Sequence, residues 1–216
     1  LQKSDFYQRL DFQQSSPVRY QDVLRTHDVD YVQRVVDRAL SREEVRQINL
    51  PINTQLIKRS FLALNGTYKT ALKALDEGVA CHAAGGTHHA HYSKGLGFCV
   101  FNDCGIAIEY LRHQYGIKRV AYIDIDAHHG DGVFYSYESD CNLYIVDFHE
   151  DGRYLYPGTG DVDETGSGAA KGHKMNIPLP QQAGDDLFAH HWAEAEAFMH
   201  TIQPEFIIFQ CGADSM

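Results

Sequence analysis

The stretch "AYIDIDAHHGDGVF", Ala121 to Phe134, constrains the fold of this chain more than any other. It begins as the apolar run of a core strand and then carries Asp124, Asp126, His128, His129 and Asp131 within eight residues. Side chains alternate along a strand, so Asp124, Asp126 and His128 are expected on one face, with Ile123, Ile125 and Ala127 on the other. Two buried anions without partners would be prohibitively costly. The cluster therefore belongs at the exposed C-terminal end of a strand or around a cation, and in parallel sheets that end is where ligands bind. A divalent metal satisfies both conditions. Aspartates that cap the following turn would account for a lone Asp-x-His. Here "HAAGGTHHAH", "VDFHEDG" and "QCGAD" put similar clusters at three further expected strand ends, and four such ends describe one site.

The rest of the chain supplies the layers around that strand. In "DVDYVQRVVDRAL" the pairs Tyr31/Val32, Val35/Val36 and Ala39/Leu40 recur every four residues, the mark of an amphipathic helix, with Asp28 at its N-terminus. Ser41 and Glu44 in "SREE" form a capping-box pattern for a second helix. A longer helical pattern runs from Thr54 to Glu77, with Gly78 as its stop and Gly66 as a potential break. The texture then alternates. Strands are expected at "GVACHAAGG", "RVAYIDIDAHH", "CNLYIVDFHE" and "EFIIFQCGAD". Helices are expected at "NDCGIAIEYLRHQYG", capped by Asn102 and ended by Gly116, and from Asp185 to Thr201, and a Gly-rich loop spans Asp151 to Gly172. Apolar strands separated by helices predict an α/β fold: a central, mostly parallel sheet with helices on both faces.

Composition narrows the functional classes. The 216 residues, 44% of them hydrophobic, suffice for one domain, expected to occupy 1–216, and a formal charge of -10 disfavours nucleic-acid or acidic-membrane partners. Five cysteines without a Cys-x-x-Cys pair, mostly in apolar runs, read as reduced core residues of a cytoplasmic protein. No apolar run reaches membrane-spanning length, and "LQKSDFYQRLDF" lacks a signal-type core. The chain opens without Met and stops at "FIIFQCGADSM", so a fragment incomplete at both ends is expected. In "GGTHHA" the tandem His88–His89 suits proton transfer, one ring neutral and the other charged, with Asp124 and Asp131 available to orient them.

"GGTHHA", "GFCVFNDCGIAI", "DIDAHHGDGV", "YPGTGD" and "QCGAD" follow in the order of the signatures of the histone deacetylase superfamily, which this chain resembles from about Gly85 to its end. The resemblance implies a three-layer arginase/deacetylase-like fold. Arginases share an Asp-Ala-His core but place the next aspartate two residues after the histidine, whereas Asp131 falls three after His128. "QINLPINTQL", with Asn49 about where eukaryotic deacetylases carry a substrate-gripping aspartate, looks more like bacterial or class IV relatives.

The resemblance also implies roles. Asp126 and His128 would ligate a catalytic Zn2+, or Fe2+, with the third aspartate ligand and an oxyanion tyrosine expected beyond Met216. His89 would be the general base and acid and His88 its electrostatic partner, with Asp124 and Asp131 behind them. Asp124, Asp126, His128, Asp147 and Phe148 match a structural K+ site, with Asp147 in place of a common serine. Gly97, Phe98 and Tyr156 match the tunnel for an acetylated chain, with the Gly97 carbonyl facing it. The implied partners are an acetylated lysine peptide or protein, or an acetylated small amine. If the natural chain ended at Met216, a metal-deficient binding module would be the alternative. His190 and His191, in a helical stretch, read as surface and packing residues.

Overall fold

The computed structural model describes residues 15–215, so the reading of Leu1 to Phe12 lies outside the described residues. Three short helices come first: α1 (Tyr20–Val23), α2 (Val29–Val36) and α3 (Arg42–Ile48). Asp28 caps α2 by accepting the Tyr31 amide. Ser41 and Glu44 form the reciprocal capping box on α3, which satisfies two amides that the helix itself cannot. α2 stops at Val36, so Ala39 and Leu40 lie beyond it. α4 (Thr54–Glu77) runs unbroken through Gly66. A Cβ at Gly66 would collide with the His82 ring, so this glycine admits a neighbouring side chain to the helix surface.

The sheet-forming half alternates as α5 (Asp103–Tyr115), β1 (Val120–Asp124), α6 (Asp131–Ser136), β2 (Leu143–Glu150), β3 (Lys174–Leu179), α7 (Asp185–Ile202) and β4 (Phe206–Gln210). The four strands are all parallel, in the order β3-β2-β1-β4. On one face Tyr122, Leu143 and Ile145 pack with Ile108 of α5 and Val133 and Phe134 of α6. On the other, Val146, Phe148 and Ile177 pack with Phe188, Trp192 and Ala195 of α7. α4 lies outside α5, where Ala71 meets Ala107 and Leu111. Burial of each such large side chain contributes about 2 kcal/mol, and all five residues of β1 are buried.

Two strand expectations are corrected. Residues 78–86 form no strand; they carry Gly85, Gly86 and a His82 ring held by hydrogen bonds rather than a ladder. Lys174–Leu179 is a strand that the sequence reading left between a loop and a helix, because Lys174 and Pro178 interrupt its apolar run. Lys174 is nevertheless buried, its ammonium donating to the Asp140 carbonyl at 2.9 Å. No helix among the described residues is long and apolar enough to cross a membrane.

Candidate active site

The N-terminus of α5 anchors the site. Asn102 caps the helix through Gly105 N at 2.8 Å, and its amide group donates to Ala90 O at 3.0 Å. Asp103, fully buried, accepts Thr87 N at 2.7 Å, Gly86 N at 3.0 Å and the Thr67 hydroxyl at 2.5 Å. Together they clamp the segment from Gly86 to Ala90 from both ends. The His88 carbonyl then accepts the Val133 amide of α6 at 3.0 Å. Sequence reasoning took Asn102 as a cap only and did not single out Asp103, although its charge at the start of an apolar helix was the available signal.

In this clamp both tandem histidines face inward, their rings 4.1 Å apart. His88 Nδ1 lies 2.8 Å from Asp124 Oδ2 and His89 Nδ1 lies 2.6 Å from Asp131 Oδ1. Burial works against a charged His88, but Asp124 and Asp126 outweigh it and raise its pKa to about 9. Burial also pushes the Asp124 carboxyl up while His88 draws it down; the pair is an ion pair with its proton on His88. For His89 burial prevails over Asp131, helped by the positive charge of His88, and the pKa falls. One ring is therefore cationic and the other neutral near pH 7.

β1 ends at Asp124, so strand alternation accounts for that aspartate alone. Asp126 and His128 are placed by a chain of side-chain-to-backbone bonds instead: Asp124 Oδ1 accepts Asp126 N at 3.0 Å, and Asp126 Oδ1 accepts His128 N at 2.9 Å. This Asx-type pattern turns the chain within two residues at each step. His128 Nδ1 then sits 3.0 Å from Asp126 Oδ1 and 2.9 Å from Asp214 Oδ2. Asp214 also accepts Ala127 N at 3.1 Å. Asp126, His128 and Asp214 bring one ligand atom each within 4.8 Å of one another. A second carboxylate, Asp214 inside "GADSM", therefore stands beside His128 as the third donor of the group, where the sequence reading had placed that ligand beyond Met216. Its signal was in the "QCGAD" strand end, since β4 pairs in parallel with β1 and its Gln210 stands opposite Asp124.

Asp147 of β2 stands on the other side of Asp124 in register. Both are fully buried. Asp147 Oδ1 accepts from His149 Nδ1 at 2.8 Å and Oδ2 accepts Gly130 N at 2.9 Å. Burial opposes a charged His149, yet the bond to Asp147 raises its pKa. His149 was missed as a partner, although "VDFH" puts both side chains on one strand face. Phe148 points to the opposite face, into the α7 contact.

The approach to His89 is narrow. Gly97 has φ +50°, and a Cβ there would lie 2.6 Å from His89 Cδ2 and 3.1 Å from Tyr156 Cε1. Its carbonyl accepts Cys99 Sγ at 3.4 Å. Gln47 O and Ile48 O at the end of α3 hold the amides of Gly97 and Phe98 at 3.1 and 2.8 Å. Phe98 and Tyr156 are 61% and 46% exposed, and the Tyr156 ring stands edge-on to His89 with centroids 5.2 Å apart. Asn49 ends α3 with φ 57°, a left-handed cap that asparagine adopts readily. His190 and His191 lie on α7, with Glu194 as their nearest acid. His190 is the more exposed of the two.

The donors Asp126, His128 and Asp214 fit a divalent cation of the zinc or Fe(II) type, two carboxylates and an imidazole being ordinary ligands of both. Comparison with known proteins identifies the family. The family model "Histone deacetylase domain" matches residues 1–216. "Acetoin utilization protein AcuC" of Bacillus subtilis is 39% identical over 202 residues, covering 88% of this chain and 51% of that protein. Histone deacetylase B of Dictyostelium discoideum is 32% identical over 222 residues, covering 97% and 52%. A crystal structure of an HDAC homolog from Aquifex aeolicus superimposes with TM-score 0.81 at 31% identity, covering 90% of this chain and 55% of that one. A structure of an HDAC homolog complexed with SAHA gives 0.82 at 30% identity, with the same coverage. The chain thus spans about half the length of these relatives, and it belongs to the histone deacetylase family.

Proposed function

We propose that the protein is a metal-dependent amidohydrolase that removes acetyl or another acyl group from a lysine side chain. The observation that carries this reading is the convergence of Asp126, His128 and Asp214 with two imidazole–carboxylate pairs, His88–Asp124 and His89–Asp131. A divalent cation held by the first three residues would polarise an amide carbonyl and acidify a water molecule. His89, neutral and oriented through Nδ1 by Asp131, would use Nε2 as proton acceptor and later return the proton to the leaving amine. His88, cationic beside it, keeps positive charge where negative charge develops. Phe98 and Tyr156 would flank the acyl-lysine chain, with Gly97 leaving room for it. Asp124 and Asp147, with Asp126, His128 and Phe148 around them, suit a potassium ion by charge, and His88 and His149 already engage one oxygen of each carboxylate.

Asp214 supplies a third potential donor, which supports the hydrolase reading over a metal-deficient binding module. An acetylated small amine remains the competing substrate, because Asn49 offers a neutral amide where the resemblance places an anionic grip on a peptide. Turnover by the full-length protein on an acetyl-lysine peptide and on acetylspermidine, each with and without chelation of the metal, tests the proposal. Chelator-sensitive release of acetate from the peptide is expected. Turnover of acetylspermidine alone would overturn the lysine assignment, and no turnover of either by metal-loaded protein would overturn the hydrolase reading.

A further inference from the structure

His91 has no role in the site as described, yet its ring is held as firmly as those of the tandem pair. Its Nε2 lies 2.9 Å from Asp131 Oδ2, while the other oxygen of that carboxylate accepts from His89 Nδ1 at 2.6 Å. Asp131 is 3% exposed, so two imidazoles stand where water would otherwise solvate the anion. The His91 ring lies nearly parallel to Tyr135, with 13° between the planes and centroids 6.0 Å apart. Tyr135 is fixed in turn, its hydroxyl donating to Glu164 Oε2 at 2.7 Å. Glu164 Oε1 accepts the amides of Gly160 and Asp161 at 3.1 and 3.0 Å. The His91 amide bonds to Lys94 O at 2.9 Å, so the backbone is pinned too.

A carboxylate with a donor on only one oxygen can turn about its Cβ–Cγ bond and carry the bonded imidazole with it. A second donor on the other oxygen fixes the carboxylate plane. We propose that His91 is a positioning residue: by donating its Nε2–H to Asp131 Oδ2 it fixes the carboxylate that holds the ring and tautomer of His89 for proton transfer. Its kinetic consequence rests on the proposed deacetylase reading; its geometric consequence does not.

The test uses full-length protein. His91→Phe keeps a flat ring against Tyr135 and removes the donor, His91→Gln restores an N–H, and His91→Leu serves as the donor-free variant if phenylalanine is not accommodated. Loss of alignment should lower kcat on an acetyl-lysine peptide about tenfold in His91→Phe, with KM and bound metal unchanged, and His91→Gln should recover most of it. In parallel, NMR of the histidine side chains should show the hydrogen-bonded Nδ1–H proton of His89 in wild type and His91→Gln, broadened by exchange in His91→Phe. Wild-type kcat in His91→Phe would overturn the proposal, and equal losses in both variants would reduce His91 to packing. If the wild type turns over no acyl amide, the deacetylase reading fails separately. The NMR comparison still decides the role of His91, because an unchanged His89 signal in His91→Phe refutes it.

Discussion

Replacing His27 with glutamine should remove much of the acid sensitivity of this fold. His27 is 1% exposed; its Nδ1 donates to Tyr92 O at 3.2 Å and its Nε2 accepts Asn102 N at 2.8 Å. That pattern requires the neutral ring, and burial, only partly offset by the backbone carbonyls around it, lowers its pKa from 6.5 to about 4. The sign follows from which state binds the proton. Between these two values the unfolded chain takes up a proton that the folded chain refuses, so the neutral ring favours folding above pH 6.5 and this contribution is lost as pH falls toward 4. At pH 4.5 the loss amounts to about 2.5 kcal/mol. Glutamine can accept from Asn102 and donate to Tyr92 without titrating. Urea unfolding of both full-length proteins at steps from pH 7.5 to 4.5 measures the difference directly. His27→Gln should be somewhat less stable at pH 7.5, and the gap should close or reverse by about 2.5 kcal/mol at pH 4.5. A gap that stays constant across the range would refute the argument. Because Asn102 also holds Ala90 O, beside the tandem histidines, activity should fall with stability in the same window.

Asp214→Asn should abolish stoichiometric zinc or iron binding, measured by elemental analysis, while far-ultraviolet circular dichroism stays unchanged, since the Asp214 side chain is 46% exposed. Gly97→Ala combines a left-handed backbone cost of about 1 kcal/mol with a Cβ against the His89 ring. Turnover should fall at least tenfold with metal content retained; a mutant with wild-type kcat would show that the ring has space to spare. Asp103→Ala strips the acceptor from Thr67, Gly86 and Thr87 and should cost about 3 kcal/mol in urea unfolding, with a larger loss of activity per unit of lost stability than Ser41→Ala on α3, whose cap is worth about 1 kcal/mol.

Much of the scaffold was legible because it depends on local chemistry. The caps at Asp28, Ser41 and Asn102 are decided within a few residues by side chains that can reach unpaired amides. Strands β1 and β2 announce themselves as short apolar runs, since both of their faces are dry in a covered parallel sheet, and β4 does so although Ile207 and Phe209 stay about half exposed. Where polar residues form part of a strand's interior, as at Lys174 in β3, that signal disappears. Where a polar segment is held by side chains from elsewhere, as residues 78–86 are, hydrophobic pattern misleads about its conformation.

The site divides in the same way. Sequence by itself determined that Asp124, Asp126, His128 and Asp131 are clustered and that the tandem histidines need carboxylate partners, because those facts follow from spacing and from the cost of unpaired charge. Only the tertiary structure decided that Asp214 completes the cluster and that His91 shares Asp131 with His89. Those pairs are set by parallel strand register and by loop closure across 40 to 88 positions of chain, as between His91 and Asp131 or Asp126 and Asp214. No local propensity encodes a contact over that distance; it exists only once β1, β2 and β4 lie side by side.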